Sequence, residues 1–104
     1  MYIGTVEVNN EWKQLDTLIK AQVSGQSAFE FDADTTYQLQ GEGNYGIRLC
    51  VSSSIPTDKQ VGFRIQGTQC AHFKAEAGCN LYVKSEDGAS PTTPLLHIST
   101  LGED

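Results

Sequence analysis

Alternation with a period of two residues runs through this chain from end to end, and it restricts the fold more than any other feature. Phe29 and Phe31 alternate with Glu30 and Asp32. Tyr37 and Leu39 alternate with Gln38 and Gln40, and Ile47, Leu49 and Val51 with Arg48, Cys50 and Ser52. The same rhythm continues through Val61, Phe63 and Ile65, through Ala71 and Phe73, through Leu81 and Val83, and through Leu96 and Ile98. Val6 and Val8 add a short run near the start. Successive side chains of a strand point to opposite faces, so this pattern buries one face of each run and wets the other. Turn-forming clusters separate the runs: DADTT, GEGN, SSSIPTD, QGTQ, EAGC and EDGASPTTP.

The pattern predicts an all-β chain, a single β-sandwich or jelly-roll-like domain of seven or eight short antiparallel strands. At 104 residues, 1–104 is one domain. Residues 1–10 read as its first strand or as an N-terminal arm that adds to a neighbour's sheet, because Ile3 and Val6 are out of phase. Residues 101–104 read as a frayed acidic tail. One segment breaks the rhythm. NNEWKQLDTLIKAQV sets Trp12, Leu15, Leu18 and Ile19 at helical spacing, with Asn9 or Asn10 as a cap. Leu15, Thr17 and Ile19 equally share one face of a bulged strand. The segment is taken as strand or irregular chain, with one short helical turn as the alternative.

Charge bounds the partners. Seven Lys and Arg against thirteen Asp and Glu give a net charge of −6. Nucleic-acid binding needs clustered cations to displace counterions, and the sequence has no Lys/Arg cluster, so neither nucleic acid nor an anionic membrane is expected as a partner. No apolar run approaches the ~20 residues of a membrane span. The start, MYIGTVEVNNEW, has neither a basic segment nor an apolar stretch of the signal-peptide kind. Three cysteines, an odd number, fit a reducing compartment of synthesis better than a disulfide framework.

Few residues suggest chemistry. Cys70 and His72 share a strand face and Cys79 opens the next run, so a Cys/His/Cys zinc set is conceivable with Cys50 as a fourth ligand. No C-x-x-C or H-x-x-x-H knuckle supports it, and no metal or cofactor is expected. A nucleophilic triad from Cys50 or Cys79 with His72 or His97 lacks a Gly-rich elbow. Glu30 and Asp32 form an i, i+2 acidic pair, which any wet strand face can carry. GEGNYG lacks the lysine and the helix of a phosphate loop and reads as a hairpin turn. Ser85, Glu86 and Asp87 read as solvated turn residues, so replacing Glu86 is expected to leave stability nearly unchanged. Leu81, Val83, Leu96 and Ile98 are core positions, with Tyr82 and Lys84 turned outward. Tyr2, Ile3, Trp12, Tyr45 and Tyr82 are the candidate partner-contact residues, although a lone Trp also suits a core.

Several segments together resemble the small virion proteins of tailed bacteriophages. They are EWKQL, TTYQLQGEG, IRLCVSSSIPTD, VGFRI, CNLYVKSEDGAS and LLHIST. The matching positions are Trp12, Tyr37, Leu39, Gln40, Leu49, Ser52, Pro56, Gly62, Leu81, Tyr82, Val83 and Lys84, within a stretch from about residue 11 to 100. The resemblance implies a non-enzymatic head decoration, cement or fibre-attachment protein. It implies assembly in the host bacterial cytoplasm, location in the virion, contact with the major capsid protein or another virion protein, and a homo-oligomer such as a trimer. The alternative of a different class is a carbohydrate- or receptor-binding β-sandwich module, which needs several aromatics exposed together.

Overall fold

The computed structural model describes residues 1–42, 46–58, 61–66, 68–86 and 94–101. Among them lie eight strands, β1 (Tyr2–Glu7), β2 (Lys13–Gln14), β3 (Thr36–Glu42), β4 (Gly46–Ser52), β5 (Phe63–Gln66), β6 (Cys70–Lys74), β7 (Asn80–Ser85) and β8 (Leu95–Thr100), with one helix, α1 (Leu15–Gln22), between β2 and β3. The strands form two four-stranded sheets, ordered β1-β8-β3-β6 and β2-β7-β4-β5. Every pairing is antiparallel. β1 pairs with β8, β2 with β7, β3 with β6 and β4 with β5, as in one long hairpin rolled upon itself. That winding is a jelly roll.

The inward positions are those the alternation marks. Val6, Tyr37, Leu39, Ile47, Leu49, Leu81, Val83, Leu96 and Ile98 form the core with Leu15 and Ile19 of the helix. Burying each such side chain contributes roughly 1.5–3 kcal/mol before the entropy of ordering the chain is charged against it. No helix among the described residues is long and apolar enough to cross a membrane.

Two local readings change. The segment 15–22 is a two-turn helix rather than a strand or a single turn. Leu15 and Ile19 lie four apart on the face that enters the core, Asp16 sits in the first turn and Lys20 in the last, matching the helix dipole. Trp12 lies outside the helix. Phe29–Asp32 belongs to no sheet. Its backbone is satisfied otherwise: the Phe29 N–H donates to the Gln26 carbonyl at 3.0 Å, and the Asp32 N–H to the Tyr37 hydroxyl at 2.8 Å. Phe29 and Phe31 still face one way, edge-on to each other at 4.9 Å between centroids, and Phe31 packs edge-on against both Tyr37 and Phe73. The alternation there marks a face, not a ladder.

At the N-terminus the first of the two expected readings holds. Residues 2–7 pair with β8 of their own sheet instead of reaching a neighbour. The out-of-phase Ile3 is explained by a bulge, since Tyr2 lies opposite Ser99 and Gly4 opposite Ile98, with one extra residue on β1. At the other end the Leu101 N–H donates to the Thr36 carbonyl at 2.8 Å; residues 102–104 of the predicted tail lie outside the described residues, as do most of the EDGASPTTP turn and part of GEGN.

Candidate functional site

The outer face of the second sheet gathers most of the unusual chemistry. Lys84 of β7 lies directly opposite Arg48 of β4, and Arg48 lies opposite Arg64 of β5. Three of the chain's seven basic residues thus make one row across the sheet of an acidic protein. Like charges at facing positions repel, so the row needs compensation. Glu86 supplies part of it: its Oε1 lies 3.1 Å from Arg48 Nε and 3.2 Å from Arg64 Nε. The Arg48 contact is close but lacks the alignment of a hydrogen bond. The Glu86 backbone N–H donates to the Gly46 carbonyl at 2.9 Å, which fixes the carboxylate over the two guanidinium groups. Gly46 matters here because a Cβ would overlap the Arg64 side chain, which lies across it. The expectation that Glu86 is a solvated turn residue is therefore overturned.

Lys84 is the third cation, and it is only 2% exposed. Its Nζ donates to the Ser85 carbonyl at 3.0 Å and lies 6.0 Å from the centre of the Trp12 ring. Trp12, just ahead of β2, is itself buried, and its Nε1–H donates to the Asp58 carbonyl at 3.1 Å. That bond holds the segment 55–58 across the sheet. Between segment and sheet lies a cleft of about 410 Å3 lined by Asn10, Glu11, Trp12, Lys13, Ile55, Pro56, Thr57 and Lys84.

A second constellation spans the outer face of the first sheet. His97 of β8 lies opposite Thr5 of β1 on one side and Gln40 of β3 on the other. Thr5 Oγ1 is 2.7 Å from His97 Nδ1, and Glu42 Oε1 is 2.5 Å from His97 Nε2. The Tyr2 hydroxyl contacts Thr5 Oγ1. An ionised carboxylate only accepts, so Nε2–H donates to Glu42; in the neutral imidazole Nδ1 then accepts from the Thr5 hydroxyl, whereas an imidazolium donates to it. A hydroxyl, an imidazole and a carboxylate in line are the parts of an activated nucleophile. Here the imidazole is about one-third exposed and the carboxylate more than half, and neither the Trp12 cleft nor the hollow described next includes them.

That hollow, of about 330 Å3, has an apolar floor of Phe31, Phe73 and Leu81 and an acidic rim of Asp16, Glu30 and Glu76. Cys79 lines it, whereas Cys70 and His72 stand exposed on edge strand β6 and Cys50 belongs to the other sheet. Among the described residues no three His, Cys, Asp or Glu side chains converge on one point, so Cys70, His72 and Cys79 are not brought together as a zinc set.

The expected contact residues are scattered. Tyr2 is 62% exposed, Ile3 is half-buried on the bulge, and Tyr45 lies outside the described residues. Trp12 and Tyr82 are buried, and so is Lys84, although Tyr82 and Lys84 do turn away from the core. The reason is that β7 is an inside strand: Tyr82 lies between Gln14 and Cys50, while Trp12 and the segment 55–58 stand over Lys84. The Lys–Arg–Arg row and the Thr5–His97–Glu42 chain were missed in the sequence because each joins strands far apart in the chain. Outward polar positions on alternating strands were the only signal. Comparison with protein-family models, with curated proteins and with solved structures gave no match.

Proposed function

We propose that this chain is a non-enzymatic structural domain of a tailed-bacteriophage virion, which decorates or stabilises the head, or attaches a fibre, through contacts with the major capsid protein or another virion protein. The sequence resemblance supplies the partner, and the jelly roll, an architecture used by viral capsid and lectin domains, is compatible with it by analogy. The observation that carries the reading is where apolar side chains remain on the surface. Phe63 is 48% and Val51 43% exposed, at a corner where β5 begins and the outer edge of β4 from Cys50 to Ser52 faces no described strand. An apolar patch beside a strand edge that no described strand pairs suits strand addition or edge-on docking by a partner. Such contacts also suit an acidic protein present in many copies, whose own charges repel.

The Thr5–His97–Glu42 chain does not displace this reading, since it lies on an open sheet face with the Thr5 oxygen already engaged by Tyr2. The carbohydrate- or receptor-binding alternative requires a shared aromatic platform. The two exposed aromatics among the described residues, Tyr2 and Phe63, lie on different sheets. The test is co-sedimentation with heads of the parent phage assembled without this chain. Saturable binding by an oligomer, a trimer in the simplest case, and its loss in Phe63→Ser with an unchanged melting curve support the proposal. A monomer that stays in the supernatant overturns it.

A further inference from the structure

Among the described residues Lys84 has no partner equal to its charge. An ammonium carries three N–H donors. One is taken by the Ser85 carbonyl, and the Trp12 ring offers a weak, distant π-face. No described carboxylate is in ion-pair contact with Lys84, and Glu86 serves the two arginines instead. Glu11, the acid that lines the cleft, lies 3.8 Å from Lys13. A buried ammonium with a single neutral acceptor is costly, and an anion entering from the cleft would relieve that cost.

The structure assigns the cleft to an organic carboxylate: we propose that Lys84 receives the acid group while an apolar body lies against Trp12, Ile55 and Pro56. A single fixed ammonium, next to the already paired Lys13 and Glu11, matches a monoanion better than a phosphate dianion, which needs more than one cation. The apolar lining asks for a hydrocarbon or aromatic body, and Ile55 is 56% exposed although it borders the cleft. At about 410 Å3 the space is at the lower end of small-ligand sites and fits an amino-acid-sized or aromatic acid. The carboxylate can belong to a free acid or to a Glu or Asp side chain of a docked polypeptide; both offer Lys84 the same group. This inference stands independently of the virion reading, since it rests on Lys84 and Trp12 and not on Phe63.

Trp12 is the chain's one tryptophan, so its single indole 1H–15N NMR peak reports on the cleft. Two probes are titrated, benzoate for a free acid and acetyl-Leu-Glu-Leu-amide for a polypeptide, against benzamide and the Leu-Gln-Leu analogue. The proposal expects saturable movement of the peak with a Kd of about 1 mM or tighter for at least one acid and none for its neutral analogue. The stronger of the two acids identifies the source. Lys84→Met, which keeps the aliphatic packing, should weaken binding at least about tenfold. If neither acid moves the peak, or acid and amide act alike, or Lys84→Met binds as well as the parent, the assignment is wrong. Should Lys84→Met fail to fold, the acid-against-amide comparison on the unaltered protein decides alone.

Discussion

Arg48 and Lys84 stand directly opposite each other on neighbouring inside strands, with Arg64 next in the row, and the Glu86 carboxylate lies against both arginines. Facing cations ordinarily repel, and that carboxylate offsets part of the repulsion on the outer face of the second sheet. Arg48 is largely buried, its side chain 16% exposed, which makes the loss of Glu86 more costly than the loss of a surface ion pair.

Replacing Glu86 by Gln should therefore destabilise the domain by about 1–2 kcal/mol, several degrees in melting temperature for a chain of this size. Thermal unfolding followed by circular dichroism measures it. The sequence alone predicted almost no effect, so a shift below about a degree would show that the ion pairs carry no net stability.

Glycine at position 62 is required for two separate reasons. Its φ is +82°, and a Cβ there would overlap the Leu49 carbonyl oxygen on the neighbouring strand. Gly78, at φ +80°, has open space around it. Gly78→Ala should cost about 1 kcal/mol for backbone strain alone. Gly62→Ala should cost at least about 2 kcal/mol more, because β5 must move away from β4. Urea denaturation of the two variants side by side makes the comparison, and equal midpoints would contradict the steric argument.

The Tyr37 hydroxyl accepts from the Asp32 N–H and ties the Phe29–Asp32 segment to the first sheet. Tyr37→Phe removes the acceptor while leaving the aromatic packing, so a loss of about 1 kcal/mol is predicted. Faster amide exchange at Asp32, with the exchange of β3 unchanged, would locate the effect. Unaltered protection at Asp32 would argue against it.

The Thr5–His97–Glu42 chain can be tested for latent nucleophilicity. A fluorophosphonate probe should leave Thr5 unlabelled over hours, as judged by intact mass. Stoichiometric labelling at Thr5, abolished in His97→Ala, would make the chain an enzyme and sink the non-catalytic proposal.

Most of the fold was legible in local pattern. Leu39, Leu49, Leu96 and their partners sit where period-2 alternation puts them, because a strand has only two faces. Phe29 and Phe31 show the limit: alternation identifies an apolar face, but whether the backbone finds a ladder depends on which neighbour is in reach, and here a tyrosine hydroxyl takes that place. The segment 15–22 was ambiguous because Leu15 and Ile19 fit a period of two or of 3.6, and only packing against β1 and β7 separates them. The candidate sites were scarcely legible. Trp12, Ile55 and Lys84, or Thr5, Glu42 and His97, meet only after distant strands are laid side by side.

The sequence by itself determined that this chain is a β-sandwich and marked most of its core, since these follow from periodicity, although Val51 and Phe63 share the apolar phase and remain exposed. Tertiary structure alone decided the jelly-roll winding, the burial of Tyr82 and Lys84 on an outward face, and the placing of Glu86 against Arg48 and Arg64. The physical reason is that a strand's pattern says which face is apolar, while strand order decides what stands beside each residue and what covers it. Lys84 was an outward lysine in the sequence; its place on an inside strand, beneath Trp12 and the 55–58 segment, made it a buried charge.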